Sequence, residues 1–200
     1  TDGHRLAWAS ATLDVEVPIK QEVILPRKTV LELQRLLSDA SGENQPVIEM
    51  QFANNQAKFT FGGMEFVTKL VEGKFPDYNR VIPRNHTNSV TLGRAPLLAS
   101  LQRTAIMTSD KFKGVRLSVE PGTLRVASNN AEQEEAMDEL DIDYGGDTIE
   151  IGFNVTYLID VLTNMSQDMV KIDLQDGNSS ALVTIPENES FKYVVMPMRI

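Results

Sequence analysis

Cysteine is absent from the 200 residues, histidine occurs only twice and tryptophan once. Without thiols there is no disulfide scaffold, no thiolate zinc site and no cysteine nucleophile, and the composition fits a reducing compartment. Long apolar runs are missing too. The longest uninterrupted one, Tyr193 to Met198, is far too short to span a bilayer. The charged opening Thr1-Asp2-Gly3-His4-Arg5 leads into no extended apolar region and does not read as a signal peptide. Basic charge is in deficit, with 19 Lys and Arg against 28 Asp and Glu and a formal net charge of −9. On average, that disfavours nonspecific attraction to nucleic acid or anionic membrane.

Catalytic equipment is equally sparse. His4 and His86 have no sequence partner at metal-ligand spacing, and an exposed or hydrogen-bonding role is the simpler one for each. Gly62-Gly63 and Gly145-Gly146 lack the flanks of a phosphate-binding loop and read as turns or bulges. Asp141 and Asp143 share one face of a strand and fit a divalent cation, but a solvated face within an acidic segment explains them more simply. No acid/base pair or activated nucleophile assembles. The residues argue for binding without metal or cofactor.

What is present is an ordinary globular composition, 42% hydrophobic, with charge unevenly spread. Asn129 to Glu150 holds nine acidic residues and no basic one, whereas Arg94 to Arg116 holds five basic residues and one acidic. Short alternating runs predict strands at 47–52, 57–61, 115–119, 123–127, 170–174, 181–185 and 192–198. Turn signals at Asn54-Asn55, Pro121-Gly122 and Asp176-Gly177-Asn178 join several into hairpins. Helical spacing marks Pro26–Leu37 (Val30, Leu33 and Leu37 inward), Arg94–Thr108 (Leu97, Leu98, Leu101 and Ala105 inward) and Val155–Met165 (Leu158, Ile159 and Leu162 inward, with Asn154 as N-cap).

These elements repeat. Glu22–Leu25 leads to a helix, the 47–61 hairpin and a strand at Met64–Leu70; Glu150–Phe153 leads to a helix, the 170–185 hairpin and the 192–198 strand. The second copy is preceded by a further strand, helix and hairpin at Ser89–Ala127, the first only by a piece at Leu6–Val17. The expected division falls in the breaker-rich stretch Ile82–Asn88, giving a first domain at 1–84, incomplete at its start, and a second at 85–200.

Two features suggest binding surfaces. Lys28 and Arg35 lie opposite the apolar stripe of the first helix, with Arg27 flanking, and Arg103 points outward from the second. Both a cradle for a phosphate backbone and a solvated face with a Lys28–Glu32 pair fit that pattern. Ile106 and Met107 either extend the second helix as an exposed contact surface or fold back after an early helix end. The C-terminal Met196-Pro197-Met198 is apolar and adaptable, so it is expected to dock or to line a groove.

The tail Tyr193–Arg199, the stretch Gly73-Lys74-Phe75-Pro76-Asp77-Tyr78 with Arg80-Val81-Ile82-Pro83, and the opening Thr1–Ala7 resemble the bacterial DNA polymerase III beta-subunit family, the sliding clamps. Further resemblance lies in Phe112–Leu117, in Asn129-Asn130 with Glu132–Ala136, and in Ile151–Val155, in the family's order along the whole chain. The resemblance implies an α+β clamp fold, with repeated domains of two helices packed on curved antiparallel sheets. It implies that this chain is a C-terminal portion, the greater part of a middle domain followed by a third.

By the same resemblance, the role is that of a non-catalytic, cytoplasmic processivity factor, a ring around double-stranded DNA held without sequence preference. Arg27, Lys28, Arg35 and Arg103 would face that DNA. Ile106 and Met107 would meet the other subunit of a head-to-tail homodimer, which this portion alone would not close. A peptide groove for the replicative polymerase, clamp loader and repair proteins would involve Thr1, Gly3, His4, Arg5, Leu6, Pro76, Arg80, Val81, Ser180, Val194, Val195, Met196, Pro197, Met198 and Arg199. The alternative is a clamp portion acting only as a peptide-binding module. Two positions depart from the family pattern: Asn178, where a small apolar residue is expected, and Ile200 in place of a terminal Leu.

Overall fold

A computed structural model describes residues 1–40 and 47–200. Along the chain run β1 (Arg5–Ala9), α1 (Arg27–Ala40), β2 (Glu49–Phe52), β3 (Gln56–Phe61), β4 (Met64–Lys69) and α2 (Tyr78–Val81). Then follow β5 (Asn88–Gly93), α3 (Arg94–Ala105), β6 (Gly114–Glu120), β7 (Thr123–Asn129) and β8 (Glu135–Asp141). The last elements are β9 (Ile149–Asn154), α4 (Val155–Asn164), β10 (Met169–Leu174), β11 (Ala181–Ile185) and β12 (Asn188–Val195). They form two compact units, Thr1–Thr12 with Tyr78–Ile200, and Leu13–Asp77.

The larger unit holds two antiparallel sheets, ordered β1-β12-β11-β10-β5 and β8-β7-β6-β9. One apolar core runs through both sheets and through α3 and α4; Phe153, Leu97, Leu101 and Leu162 are among its fully buried side chains. Local chemistry sets the ends of the helices. The Asn154 side chain accepts the Thr156 N–H at 2.9 Å and caps α4, and Pro96 sits in the first turn of α3, where no partner for its missing N–H is needed. Pro121-Gly122 makes the two-residue β6–β7 turn, with Gly122 at φ +82°. A charged residue is buried inside this unit. Asp173 on β10, 3% exposed, accepts from Ser89 and lies 3.5 Å from His86 Nε2 and 3.8 Å from Lys171 Nζ, which compensates its lost hydration.

The smaller unit is a three-stranded sheet, β2-β3-β4, covered by α1. Its core is Ala57, Phe59 and Phe61 with partly buried Leu33, Leu36, Leu37 and Phe66. Val30, expected inward, is 49% exposed. The helix instead turns Thr29 toward the sheet, where its hydroxyl shares a 2.6 Å hydrogen bond with that of Thr68 on β4.

Three further expectations are corrected. Residues 22–25 are not a strand; one main-chain bond, from Val71 N–H to the Ile24 carbonyl at 2.9 Å, ties them to their unit. Their counterpart β9 becomes a strand because β6 offers it a full ladder. The final strand stops at Val195, since Pro197 has no N–H and Met198 donates to Gly152 on β9 instead of to the sheet. Glu32 accepts from Arg35 at 2.7 Å, while Lys28 acts on it through its charge without a direct bond.

Candidate peptide-binding site

The candidate site is built on the edge of the five-stranded sheet. Leu6 on β1, Val194 on β12 and Leu182 on β11 are directly opposite one another in register, so their side chains form one row across three strands. All three are buried in a cluster of their own, against which Trp8 and Ile82 pack. The neighbouring row, Val195 and Ala181, faces the main core. Alternation thus gives this sheet two apolar faces, one filling the main core and one covered by Trp8 and Ile82.

Arg5 fixes the edge strand. Its guanidinium donates to Asp2 at 3.1 Å and to Asp160 on α4 at 2.5 Å, and lies 4.2 Å from the centroid of the Tyr157 ring. Burial works against its charge, but the bonds to Asp160, Tyr193 and Asp2 win and raise its already high pKa. Asp2 shows the converse: slight burial is outweighed by bonds from the His4 and Arg5 amides and the Arg5 guanidinium, which hold its carboxyl below its usual range. The Tyr193 hydroxyl donates to the Tyr157 carbonyl at 2.9 Å, and burial pushes that phenol's pKa up.

The opening turn is shaped by Thr1, whose hydroxyl donates to the Arg5 carbonyl at 2.7 Å, and by Gly3 at φ +86°. His4 stacks on Tyr157 with centroids 6.5 Å apart, and its carbonyl accepts the Met196 N–H at 3.0 Å. The tail therefore starts beside the opening turn and crosses to β9. There Ser180, Met196, Pro197, Met198 and Arg199 border a cleft of about 750 Å³ with Arg116 and the exposed Asn178.

The structure brings Thr1, Gly3, His4, Arg5, Leu6, Arg80, Val81, Ser180 and Val194 to Arg199 into this one unit. Arg80 and Val81 form the end of α2, with Val81 44% exposed. Val195 is fully buried on the core side of the sheet, so it supports the site from behind. Pro76 is exposed and belongs to the smaller unit. Sequence reasoning missed Tyr157, Asp160, Leu182, Trp8 and Ile82. Tyr157 and Asp160 share a helix face at i, i+3, but their partner Arg5 lies about 150 positions away in sequence, and no local pattern signals that.

The basic residues are less available than their spacing suggests. Arg27 and Lys28 are exposed, but Arg35 is bound by Glu32 at 2.7 Å and Asp39 at 3.2 Å. Arg103 is held by Asp138 on β8, and that guanidinium keeps the Asp138 carboxyl below its usual range. At the end of α3, Ile106 N–H bonds back to Arg103 and Met107 N–H to Thr104. The helix ends early, as one alternative held, yet Ile106 stays 72% exposed instead of folding into the core. Asp141 and Asp143 are exposed, and among the described residues no group of three or more candidate ligands converges on a metal position. No helix among the described residues is long and apolar enough to cross a membrane.

Two family models match the chain: DNA polymerase III beta subunit, central domain, over residues 1–77, and DNA polymerase III beta subunit, C-terminal domain, over residues 79–199. The Beta sliding clamp of Pseudomonas putida is 44% identical over 200 residues, covering all of this chain and 53% of the relative; that of Escherichia coli K12 is 42% identical with the same coverage. A crystal structure of the Pseudomonas aeruginosa DNA polymerase III subunit beta superposes with a TM-score of 0.94 at 44% identity, over all of this chain and 54% of that one. The chain spans about half the length of the curated relatives it matches. It belongs to the DNA polymerase III beta-subunit family, the sliding clamps, and corresponds to their central and C-terminal domains.

Proposed function

We propose that this chain is the partner-docking portion of a non-catalytic, cytoplasmic processivity clamp. Residues 1–84 would serve as part of the middle domain and 85–200 as the third. The observation that carries the reading is the Leu6–Val194–Leu182 row, a second apolar face on a sheet whose other face already fills the core. An apolar face at the sheet's edge, with the adaptable Met196 and Met198 lining the cleft beside the tail, suits short peptides with aliphatic or aromatic anchors. Replicative polymerase, clamp loader and repair proteins would share the pocket and therefore compete.

In the full-length homodimeric ring, exposed Arg27 and Lys28 would meet the phosphates of duplex DNA, with Arg35 and Arg103 contributing if their carboxylate partners release them. Ile106 and Met107 would contribute to the head-to-tail subunit contact. The carboxylates already bound to Arg35 and Arg103 favour a second reading, a peptide-binding module that does not encircle DNA. Salt-dependent retention on circular DNA by a full-length ring separates the two. The docking reading is tested by titrating a fluorescent peptide with a Gln-Leu-x-Leu-Phe anchor against this chain and against one lacking Met196 to Ile200. Saturable binding that disappears with the tail is expected. Equal binding by both would remove the tail from the site, and silence both here and after restoring the preceding domain would overturn the reading.

A further inference from the structure

Gly152 occupies the interior of β9, where a glycine weakens a strand and often marks the close approach of another backbone. Its φ lies outside the left-handed region, so conformational freedom does not explain it. Space does. A methyl group on Gly152 would stand 2.5 Å from Ile200 Cγ1 and still closer to the Met198 carbonyl oxygen. At this point the Met198 N–H donates to the Gly152 carbonyl at 2.7 Å. Two residues back along β9, the Glu150 carbonyl oxygen would meet a methyl group on Gly177, in the β10–β11 turn, just as tightly. Two glycines thus let two separate segments, the C-terminal tail and the β10–β11 turn, lie directly on the main chain of one strand. Those segments are walls of the 750 Å³ cleft.

The tail has little else to hold it. Met196 and Ile200 are 48% and 43% exposed, Pro197 offers no N–H, and its two main-chain bonds are Met196 to His4 and Met198 to Gly152. We infer that Gly152 and Gly177 are positioning residues of the peptide site, seating the tail and the turn on β9 so that Met196–Arg199 stand at its rim. The inference rests on the docking reading above. The backbone at 152 is already extended and alanine suits a strand better than glycine. If Gly152 mattered only to the strand, Gly152→Ala would be harmless.

The test is Gly152→Ala in the whole chain, with Gly177→Ala as a second seat variant. Gly145→Ala, where a methyl group meets open space, is the control. Two readouts are taken: amide hydrogen exchange at Met198, and titration with the Gln-Leu-x-Leu-Phe peptide. Gly152→Ala is expected to speed Met198 exchange at least about tenfold and to weaken the peptide about five- to tenfold, the scale of one lost hydrogen bond. Core amides such as Val170 should stay unchanged. In a chain lacking Met198 to Ile200 the same substitution should have no further effect on binding, a non-additivity that a strand defect would not produce.

Unchanged Met198 exchange would overturn the seat whatever the peptide does. Faster exchange with undiminished binding would overturn the positioning role. Should the unaltered chain itself ignore the peptide, the docking reading fails and takes the positioning role with it, while Met198 exchange still decides the seat. Should Gly152→Ala not fold, Gly177→Ala carries the same decision through the peptide titration: weaker binding supports the inference and unchanged binding overturns it.

Discussion

The two copies of the helix–hairpin–strand pattern bury their helices to very different depths. In the later copy, α4 encloses Val155, Leu158, Val161 and Leu162. In the earlier one, α1 encloses only Thr29 and leaves Val30 and Leu31 about half exposed. Both helices are amphipathic, so periodicity sets which side turns inward but not how deeply it goes. Depth depends on how many layers meet the helix. Within its unit α4 is packed with α3 and both sheets, whereas α1 is packed with one three-stranded sheet. Between helix and last strand the earlier copy places a buried hydroxyl pair, Thr29–Thr68, where the later one has the Tyr193 hydroxyl on the Tyr157 carbonyl.

The largest expected effect tests that difference directly. Phe153, 1% exposed in the two-sheet core, should cost about 3–5 kcal/mol on truncation to alanine, the usual range for a buried Phe. Phe59, 7% exposed in the thin core, should cost about 2–3 kcal/mol, because its cavity opens more readily to water or collapses. The single tryptophan, Trp8, belongs to the larger unit and reports on it alone. In urea, Phe153→Ala should therefore shift the fluorescence transition, and Phe59→Ala should shift the circular-dichroism signal while leaving fluorescence in place. Equal losses, or a fluorescence shift with Phe59→Ala, would break the comparison.

A smaller effect isolates the hydroxyl pair. Thr68→Val leaves the Thr29 hydroxyl buried without its partner, which should cost about 1–3 kcal/mol. Adding Thr29→Val removes the orphan and should recover most of that loss, since two apolar groups of similar shape then meet. Urea melts of the two single variants and the double variant measure the coupling. Additive losses would mean the hydroxyls do not depend on each other.

Much of this architecture could be read from the residues. Asn154 before Val155 gave the start of α4, and alternation placed β6, β7, β10 and β11 within a residue or two. The docking of the tail against the fold, by Met196 on His4 and Met198 on Gly152, also agrees with its apolar composition. The limits have a common cause, which is distance along the chain. The 22–25 run resembles β9 in composition but has no β6-like partner among the described residues, so pattern alone overstates it. The Leu6–Val194–Leu182 row joins strands nearly the whole chain apart, and alternation shows neither that β1 pairs with β12 nor that the sheet is apolar on both faces. Arg103 reads as a free cation until the β8 carboxylate 35 positions away is placed against it.

The connections from β3 to β4 and from β11 to β12 give the finest test of the two copies. Each is a two-residue turn whose second residue has positive φ: Gly63 at +73° after Gly62, and Glu187 at +59° after Pro186. Glycine takes that conformation freely, while a residue with a Cβ pays about 1–2 kcal/mol. Gly63→Ala should therefore destabilise the smaller unit, even though its methyl group would meet nothing within 4 Å. Glu187→Gly should work in the opposite direction. Relief of the left-handed strain is partly offset by the greater chain entropy of glycine, about 0.5–1 kcal/mol, leaving a gain of a few tenths of a kcal/mol. Thermal melts should move down for the first and slightly up for the second. A fall with Glu187→Gly would show that the Glu187 side chain stabilises its turn by more than its backbone strain costs, unlike the β3–β4 turn, where Gly62 at φ +54° and Gly63 have no side chain to contribute.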